Sequence, residues 1–265
     1  MKRITVKVGT STLTHQNGAL NLRQIDTLVR MLSDLKNKGH DIILVTSGAI
    51  AVGVQKLRMP KRPTSLPLKQ AAAAVGQCEL MHLYDKFFAE YHVPIGQILM
   101  TKEDVERKNI RENLLNTLHA ILELGVIPII NENDSVSHEE IQCRDNIFGD
   151  NDTLSAIVAQ MCDADLLVML SDIDGLYDSD PKDNPNAKLI SRVEVLDDQI
   201  RESAMGAGSS RGTGGMITKL KAAEICMEAG IDMLITNGAR PEVLYDIVEK
   251  IPVGTLFVGN NTNLS

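Results

Sequence analysis

Tryptophan is absent from this 265-residue chain, and four tyrosines and four phenylalanines bring the aromatic share to only 3%. The formal net charge is -8, so the chain offers neither the basic footprint nor the stacking faces that a nucleic-acid partner needs. Cys78, Cys143, Cys162 and Cys226 lie far apart without a C-x-x-C pair. That spacing suggests neither a zinc cluster nor a disulfide framework and predicts reduced, mostly buried thiols. No apolar run approaches the roughly 20 residues of a membrane span. Lys7 cuts the apolar run behind Lys2 and Arg3 too soon for a signal peptide, so a soluble, cytoplasmic protein away from membranes is expected. None of the six histidines stands beside a serine or cysteine in a nucleophile pattern. A Walker loop is missing, Arg211 occupies the last glycine position of a G-x-G-x-x-G spacing begun at Gly206, and no EF-hand spacing occurs.

What is present is a 43% apolar chain with enough material for a full core. Short β-branched runs at 4–8, 41–46, 93–100, 126–130, 166–170 and 231–236 read as buried, largely parallel strands. Between the first two, Leu22, Ile25, Val29, Leu32 and Leu35 share one helical face behind Asn21, a fitting N-cap. Further helices are predicted over 68–91, 103–124, 154–161 and 216–229. Polar, proline-containing stretches at 58–67 and 178–187 read as surface loops. This order predicts an α/β fold, a mainly parallel sheet between two helical layers.

Small-residue turns follow several of these strands. Lys7-Val8-Gly9-Thr10-Ser11 and Thr46-Ser47-Gly48-Ala49-Ile50 put a cation, glycines and hydroxyls at strand carboxyl ends, where α/β sheets bind ligands. Gly212 to Lys219 is a glycine-rich turn entering a helix with a lysine in its first turn, suited to cradling phosphates with N–H groups. Asn131-Glu132-Asn133-Asp134 and Gly149-Asp150-Asn151-Asp152 gather acidic and amide groups that suit an ammonium ligand, a metal or the backbone itself. Asp152 fits two roles equally, helix cap or partner of a lysine. Ser171-Asp172, ahead of Gly175-Leu176-Tyr177, fits a ribose or metal contact as well as it fits a turn.

Taken in order, these six segments resemble the amino acid kinase family over essentially the whole chain. The resemblance implies a three-layer αβα sandwich as one domain over 1–265, with acceptor-binding residues in about 1–160 and nucleotide-binding residues in about 161–265. It implies transfer of the γ-phosphoryl group of ATP to the side-chain carboxylate of free L-glutamate, with Mg²⁺ held mainly through the nucleotide phosphates. By position, Lys7 and Lys219 would flank the transferring group and Asp152 would hold them. Ser47, Gly48, Asn131, Asp134, Asp150 and Asn151 would bind glutamate. Lys7, Gly9, Thr10, Ser11, Ser171, Asp172 and the run Thr213, Gly214, Gly215, Met216, Ile217, Thr218, Lys219 would line the nucleotide site. Proline as a feedback inhibitor and a homodimer or homotetramer are further implications. The resemblance weakens over 137–147, the family's variable loop near the acceptor. Many bacterial members continue into a PUA domain, and this sequence is read as the catalytic domain without one.

Overall fold

The computed structural model describes residues 1–15, 17–137, 151–181, 183–206 and 215–260. Among them one sheet is built from β1 (Arg3–Val8), β2 (Asp41–Val45), β3 (Ile95–Met100), β4 (Ile127–Glu132), β5 (Leu166–Ser171), β6 (Arg192–Val193), β7 (Asp232–Asn237) and β8 (Thr255–Phe257). The strand order is β3-β4-β2-β1-β5-β7-β8-β6. The first six strands in that order pair in parallel, and β8 turns antiparallel to β7. These six are the strands that the sequence predicts. β8 and β6, which extend the sheet beyond β7, are additions, because three residues or fewer cannot display an alternation.

The helices are α1 (Thr10–Leu13), α2 (Leu22–Asn37), α3 (Ala49–Lys56), α4 (Leu66–Ala89), α5 (Lys102–Glu106), α6 (Lys108–Glu123), α7 (Asn151–Met161), α8 (Asp198–Gly206), α9 (Met216–Glu228) and α10 (Val243–Val248). Asn21 caps α2 as expected, its side chain accepting from Gln24 N. The single helix expected over 103–124 is two helices. Arg107, with ψ 109°, breaks the run, and a Thr101–Asp104 capping box starts α5. The helix expected from 154 begins at Asn151 instead, which brings Asp152 into its first turn. Among the described residues no helix is long and apolar enough to cross a membrane.

Apolar layers fill both faces of the sheet. Ile4, Val6 and Val8 of β1 join Ile42, Leu44, Leu166, Val168 and Leu170 under α2, α4 and α10. The opposite side chains, such as Ile43, Val45, Leu167, Met169, Met233 and Ile235, meet α6, α7 and α9. Both faces are covered, as a parallel sheet requires. The chain leaves β1 towards β2 and leaves β5 towards β7, so the strand order reverses between β1 and β5. A crevice at the carboxyl ends of these two strands is the expected ligand position.

Helices α3 and α4 approach backbone to backbone. A Cβ on Gly53 would lie 1.7 Å from the Ala72 carbonyl oxygen, and one on Gly76 would lie 1.8 Å from that of Ala49. Alanine normally stabilises an exposed helix interior by about 1 kcal/mol over glycine. Here the added methyl must push the helices apart, so Gly76→Ala is expected to lower the melting temperature by about 10 °C, as overpacking of roughly 3 kcal/mol would. An unchanged or raised melting temperature would show that the helices can separate freely.

Candidate active site

Alternation along β1 decides what Lys7 faces. With Ile4, Val6 and Val8 committed to one apolar layer, Thr5 and Lys7 project to the other face, over which α7 lies. The first turn of α7 supplies Asp152, and the first turn of α9, packed against α7, supplies Lys219. Lys7 Nζ donates to Asp152 Oδ1 at 2.5 Å, while Lys219 Nζ and Thr218 Oγ1 both donate to Oδ2 at 2.9 Å. Lys7, Asp152 and Lys219 are only 8%, 1% and 6% exposed, so the three charges share a site with little water.

Burial alone would raise the carboxyl pKa of Asp152, but the two ammonium groups outweigh it and hold the group below the usual carboxylate range. The cluster therefore carries two positive charges and one negative. A structural ion pair has no need of the second cation, since an uncompensated buried charge is unfavourable. Among the described residues no second carboxylate pairs with either lysine, and an anion arriving at the site would supply that counter-charge. Both carboxylate oxygens of Asp152 are engaged by the lysines and Thr218, the lysine-partner arrangement that the sequence left open beside a helix cap.

Two strand-end turns meet beside this cluster. Ser47 Oγ donates to the Val8 carbonyl oxygen at 3.0 Å, and Thr10 Oγ1 stands 3.4 Å from Ser47 Oγ. Gly48 adopts φ 94°, a left-handed conformation that favours glycine, and a Cβ there would come within 3.3 Å of Thr10 Oγ1. α3 starts at the next residue, leaving its first N–H groups without intrahelical acceptors. A Cβ on Gly9 would lie 3.6 Å from Lys7 Nζ, so glycine keeps the ammonium uncovered. Ser11 is exposed on the first turn of α1.

On the β4 side, a line of three amides runs into α7. Asn151 Nδ2 donates to Asn131 Oδ1 at 3.3 Å, and Asn131 Nδ2 donates to Gln77 Oε1 at 2.8 Å. Consecutive residues of α7 thus join the two halves of the site, Asn151 bonding to the amides and Asp152 to the lysines. Asp134 lies in the turn after β4. Burial lifts its pKa from 3.8 to about 6, partly opposed by the positive charge of Arg62 in the loop before α4. Gln70 Nε2 donates to the Ser137 carbonyl oxygen at 3.2 Å, tying the start of α4 to this turn.

On the other side of the crevice, Ser171 ends β5, with its hydroxyl donating to Asp172 Oδ1 at 3.2 Å and its carbonyl accepting from Gly238 N at 2.7 Å. Asp172 is exposed. Gly215 precedes α9, and a Cβ there would meet nothing within 4 Å. The Met216 side chain is buried in the core, whereas Ile217 is half exposed. Of the residues expected in the site, Asp150, Thr213 and Gly214 lie outside the described residues, as does nearly all of the 137–147 stretch. Gln77 is a participant that the motif reading missed. Its signal was present in the sequence, as a polar residue on the buried stripe Ala73, Gln77, Leu80, Tyr84, Phe88 of α4.

Residues 2–237 match the Amino acid kinase family. The glutamate 5-kinase of Clostridium perfringens (strain 13 / Type A) is 53% identical over 257 residues, covering 97% of this chain and 95% of that protein. The glutamate 5-kinase of Listeria innocua is 52% identical over 264 residues, covering 100% of this chain and 95% of its own length. Among solved structures, carbamate kinase from Giardia lamblia bound to AMP-PNP superposes with a TM-score of 0.69 at 11% identity, over 98% of this chain and 99% of that one. UMP kinase from Ureaplasma parvum superposes with a TM-score of 0.62 at 17% identity, over 96% and 98% of the two chains. At such identities the structures speak for a shared fold.

Proposed function

The chain belongs to the amino acid kinase family, and from that premise we propose that it is an ATP-dependent kinase that phosphorylates the side-chain carboxylate of L-glutamate. The product is γ-glutamyl phosphate, the first intermediate of proline synthesis. The observation that carries this reading is the buried Lys7–Asp152–Lys219 cluster with its excess positive charge at the crevice between β1 and β5.

The glutamate side chain, with an ordinary pKa of about 4.3, is an anion at neutral pH and needs no general base. One of its oxygens attacks the γ-phosphorus and the bond to the β–γ bridging oxygen breaks, releasing ADP. The difficulty is electrostatic, because one anion must approach another. Lys7 and Lys219 offset the charge on the transferring group from two directions, and Asp152 holds both ammonium groups in place. Gly9, Thr10 and Ser11, the α3 N-terminus behind Gly48, and Gly215 to Thr218 before and within the first turn of α9 bring N–H and hydroxyl donors to the phosphates. Asp134 meets the α-ammonium group, with Ser47, Asn131, Asn151 and Asp150 around the rest of the acceptor. Glutamate thus sits on the β1–β4 side, and ATP lies against Ser171, Asp172 and α9.

The oxygens of Asp152 are taken by lysines and a hydroxyl, which fits a magnesium ion carried in on the nucleotide phosphates better than one held by that carboxylate. When bound, the ion would neutralise part of the negative charge on the nucleotide phosphates. Proline as a feedback inhibitor and a dimeric or tetrameric assembly belong to the same reading. The direct test is to incubate the protein with ATP, Mg²⁺, glutamate and hydroxylamine. γ-Glutamyl hydroxamate is the expected product, and its absence would point to a ligand sensor on the same fold.

Asp134 gives this reading a pH signature. Its raised pKa means that the proton stays on until about pH 6 in the free protein, so below that value the partner of the α-ammonium is neutral. The kcat/KM for glutamate is therefore expected to fall about tenfold per pH unit below pH 6, with kcat at saturating glutamate much flatter. Asp134→Asn should remove the inflection and lower kcat/KM at neutral pH. The sign for stability is the reverse of a salt-bridged aspartate: the contribution is present below about pH 4 and is lost as pH rises through about 6.

A further inference from the structure

We propose that Asn237 is a positioning residue for the nucleotide, holding the turn after β5, and with it Asp172, in place on the ATP side of the crevice. Asn237 and Gly238 grip that turn at two points. Asn237 lies beside Ser171 in the register of β7 on β5, and the next residue, Gly238, donates its N–H to the Ser171 carbonyl oxygen at 2.7 Å. Three residues beyond Ser171, Asp174 Oδ1 accepts from Asn237 Nδ2 at 2.8 Å. Asp172 therefore stands between two fixed points, both supplied by consecutive residues at the end of another strand.

The direction of the amide is fixed at both of its ends. Asn237 Oδ1 accepts from Ala239 N at 2.9 Å, a group that can only donate, and Nδ2 meets a carboxylate, which when ionised can only accept. Turning the amide over would lose both bonds. The other oxygen of Asp174 accepts from the Tyr177 hydroxyl at 3.2 Å, which draws the following residues into the same grip. Gly238 anchors the whole. A Cβ there would lie 2.9 Å from Leu170 Cβ and 3.2 Å from Thr12 Cγ2, and its carbonyl oxygen accepts from Gln24 Nε2 of α2. The end of β7 is thus seated against β5, α1 and α2 without help from the Asn237 side chain. An exposed bond such as Asn237 to Asp174 adds little to stability, so what it determines is where the turn stands.

The inference rests on the proposed position of ATP against Ser171 and Asp172, and calorimetric dissociation constants for ATP with Mg²⁺ test it without turnover. Asn237→Asp sets one carboxylate against another, and the Kd for ATP should rise about tenfold while the KM for glutamate stays within about twofold of wild type. Asp174→Asn keeps an acceptor for Asn237 and should leave the Kd within about twofold. In the double variant Asn237→Asp/Asp174→Asn the bond returns with donor and acceptor exchanged, and the Kd should recover to within about threefold of wild type. A folded Asn237→Asp variant that binds ATP as wild type does, or a double variant as weak as Asn237→Asp, overturns the role of Asn237. Asp174→Asn as weak as Asn237→Asp also overturns it, because Asp174 would then touch the nucleotide itself. Should Asn237→Asp not fold, Asn237→Ser decides alone. Its hydroxyl still accepts from Ala239 N but stops short of Asp174, so the Kd should rise about fivefold, and an unchanged Kd overturns the inference. A wild type that binds ATP but makes no γ-glutamyl hydroxamate overturns the acceptor assignment and leaves the variants to decide this one. A wild type that does not bind ATP overturns both.

Discussion

N-acetylglutamate will be turned over with a kcat/KM roughly 10⁴-fold below that of glutamate, the range reached when a site built around a buried polar partner meets an analogue lacking it. On the proposed reading the α-ammonium of glutamate brings a second positive charge to Asp134, whose carboxyl pKa in the free protein is lifted to about 6 by burial with only partial offset from Arg62. Acetylation removes that charge and adds bulk in the same place. The penalty is therefore double, an unpaired carboxylate and a displaced acyl group. Aspartate fails differently. Its ammonium still reaches Asp134, but a side chain one methylene shorter holds the nucleophile back from the phosphoryl group, so kcat falls more than KM rises. The comparison needs kcat/KM for the three acceptors at saturating ATP, in wild type and in Asp134→Ala. Equal efficiency on glutamate and N-acetylglutamate in the wild type, or undiminished selectivity in the variant, would remove Asp134 from the acceptor site.

Lys7→Ala and Lys219→Ala should each lower kcat by about 10²- to 10³-fold, the usual loss when one preorganised donor to a developing charge is deleted. Folding should survive in both. Asp152 keeps one lysine and the Thr218 hydroxyl in either variant. Asp152→Asn tests the organiser role of the carboxylate. An asparagine caps a helix about as well as an aspartate, so a helix-capping role alone predicts a nearly silent substitution. Loss of lysine alignment predicts instead a fall in kcat with little change in the KM for glutamate. Near-normal kcat in a folded lysine variant would show that the ammonium group does not reach the transferring phosphoryl group.

The strands that carry the site were legible because each is a short apolar run stopped by small or polar residues, as at Val8-Gly9-Thr10 and Val45-Thr46-Ser47. β6 and β8 were not, since their pairing is decided by neighbours and not by their own pattern. The break at Arg107 also left no periodic trace, because the apolar spacing continues across it while the backbone turns extended. Asp152 shows the limit most clearly. Its neighbours in sequence argued for a cap as strongly as for an ion pair. What decides is two lysines, 145 residues before it and 67 after it in the chain, brought to one point by strand alternation and by the packing of α9 on α7. Gln77 stayed hidden for the opposite reason. It occupies a core position, and only its contact with Asn131 shows that the position is not merely filled.

Because α3 and α4 meet backbone on backbone at Gly53 and Gly76, no layer of side chains lies at those crossings to be traded for larger or smaller ones. The Gly48 turn and Gln77 consequently belong to one stiff unit that small substitutions cannot gradually reshape. Evolution towards a different acceptor has its open route in the connection at 57–65, largely exposed and bearing Arg62, where length and charge can vary without disturbing that unit. New acceptor preferences in this scaffold should therefore arise as loop variants over an unaltered helix pair.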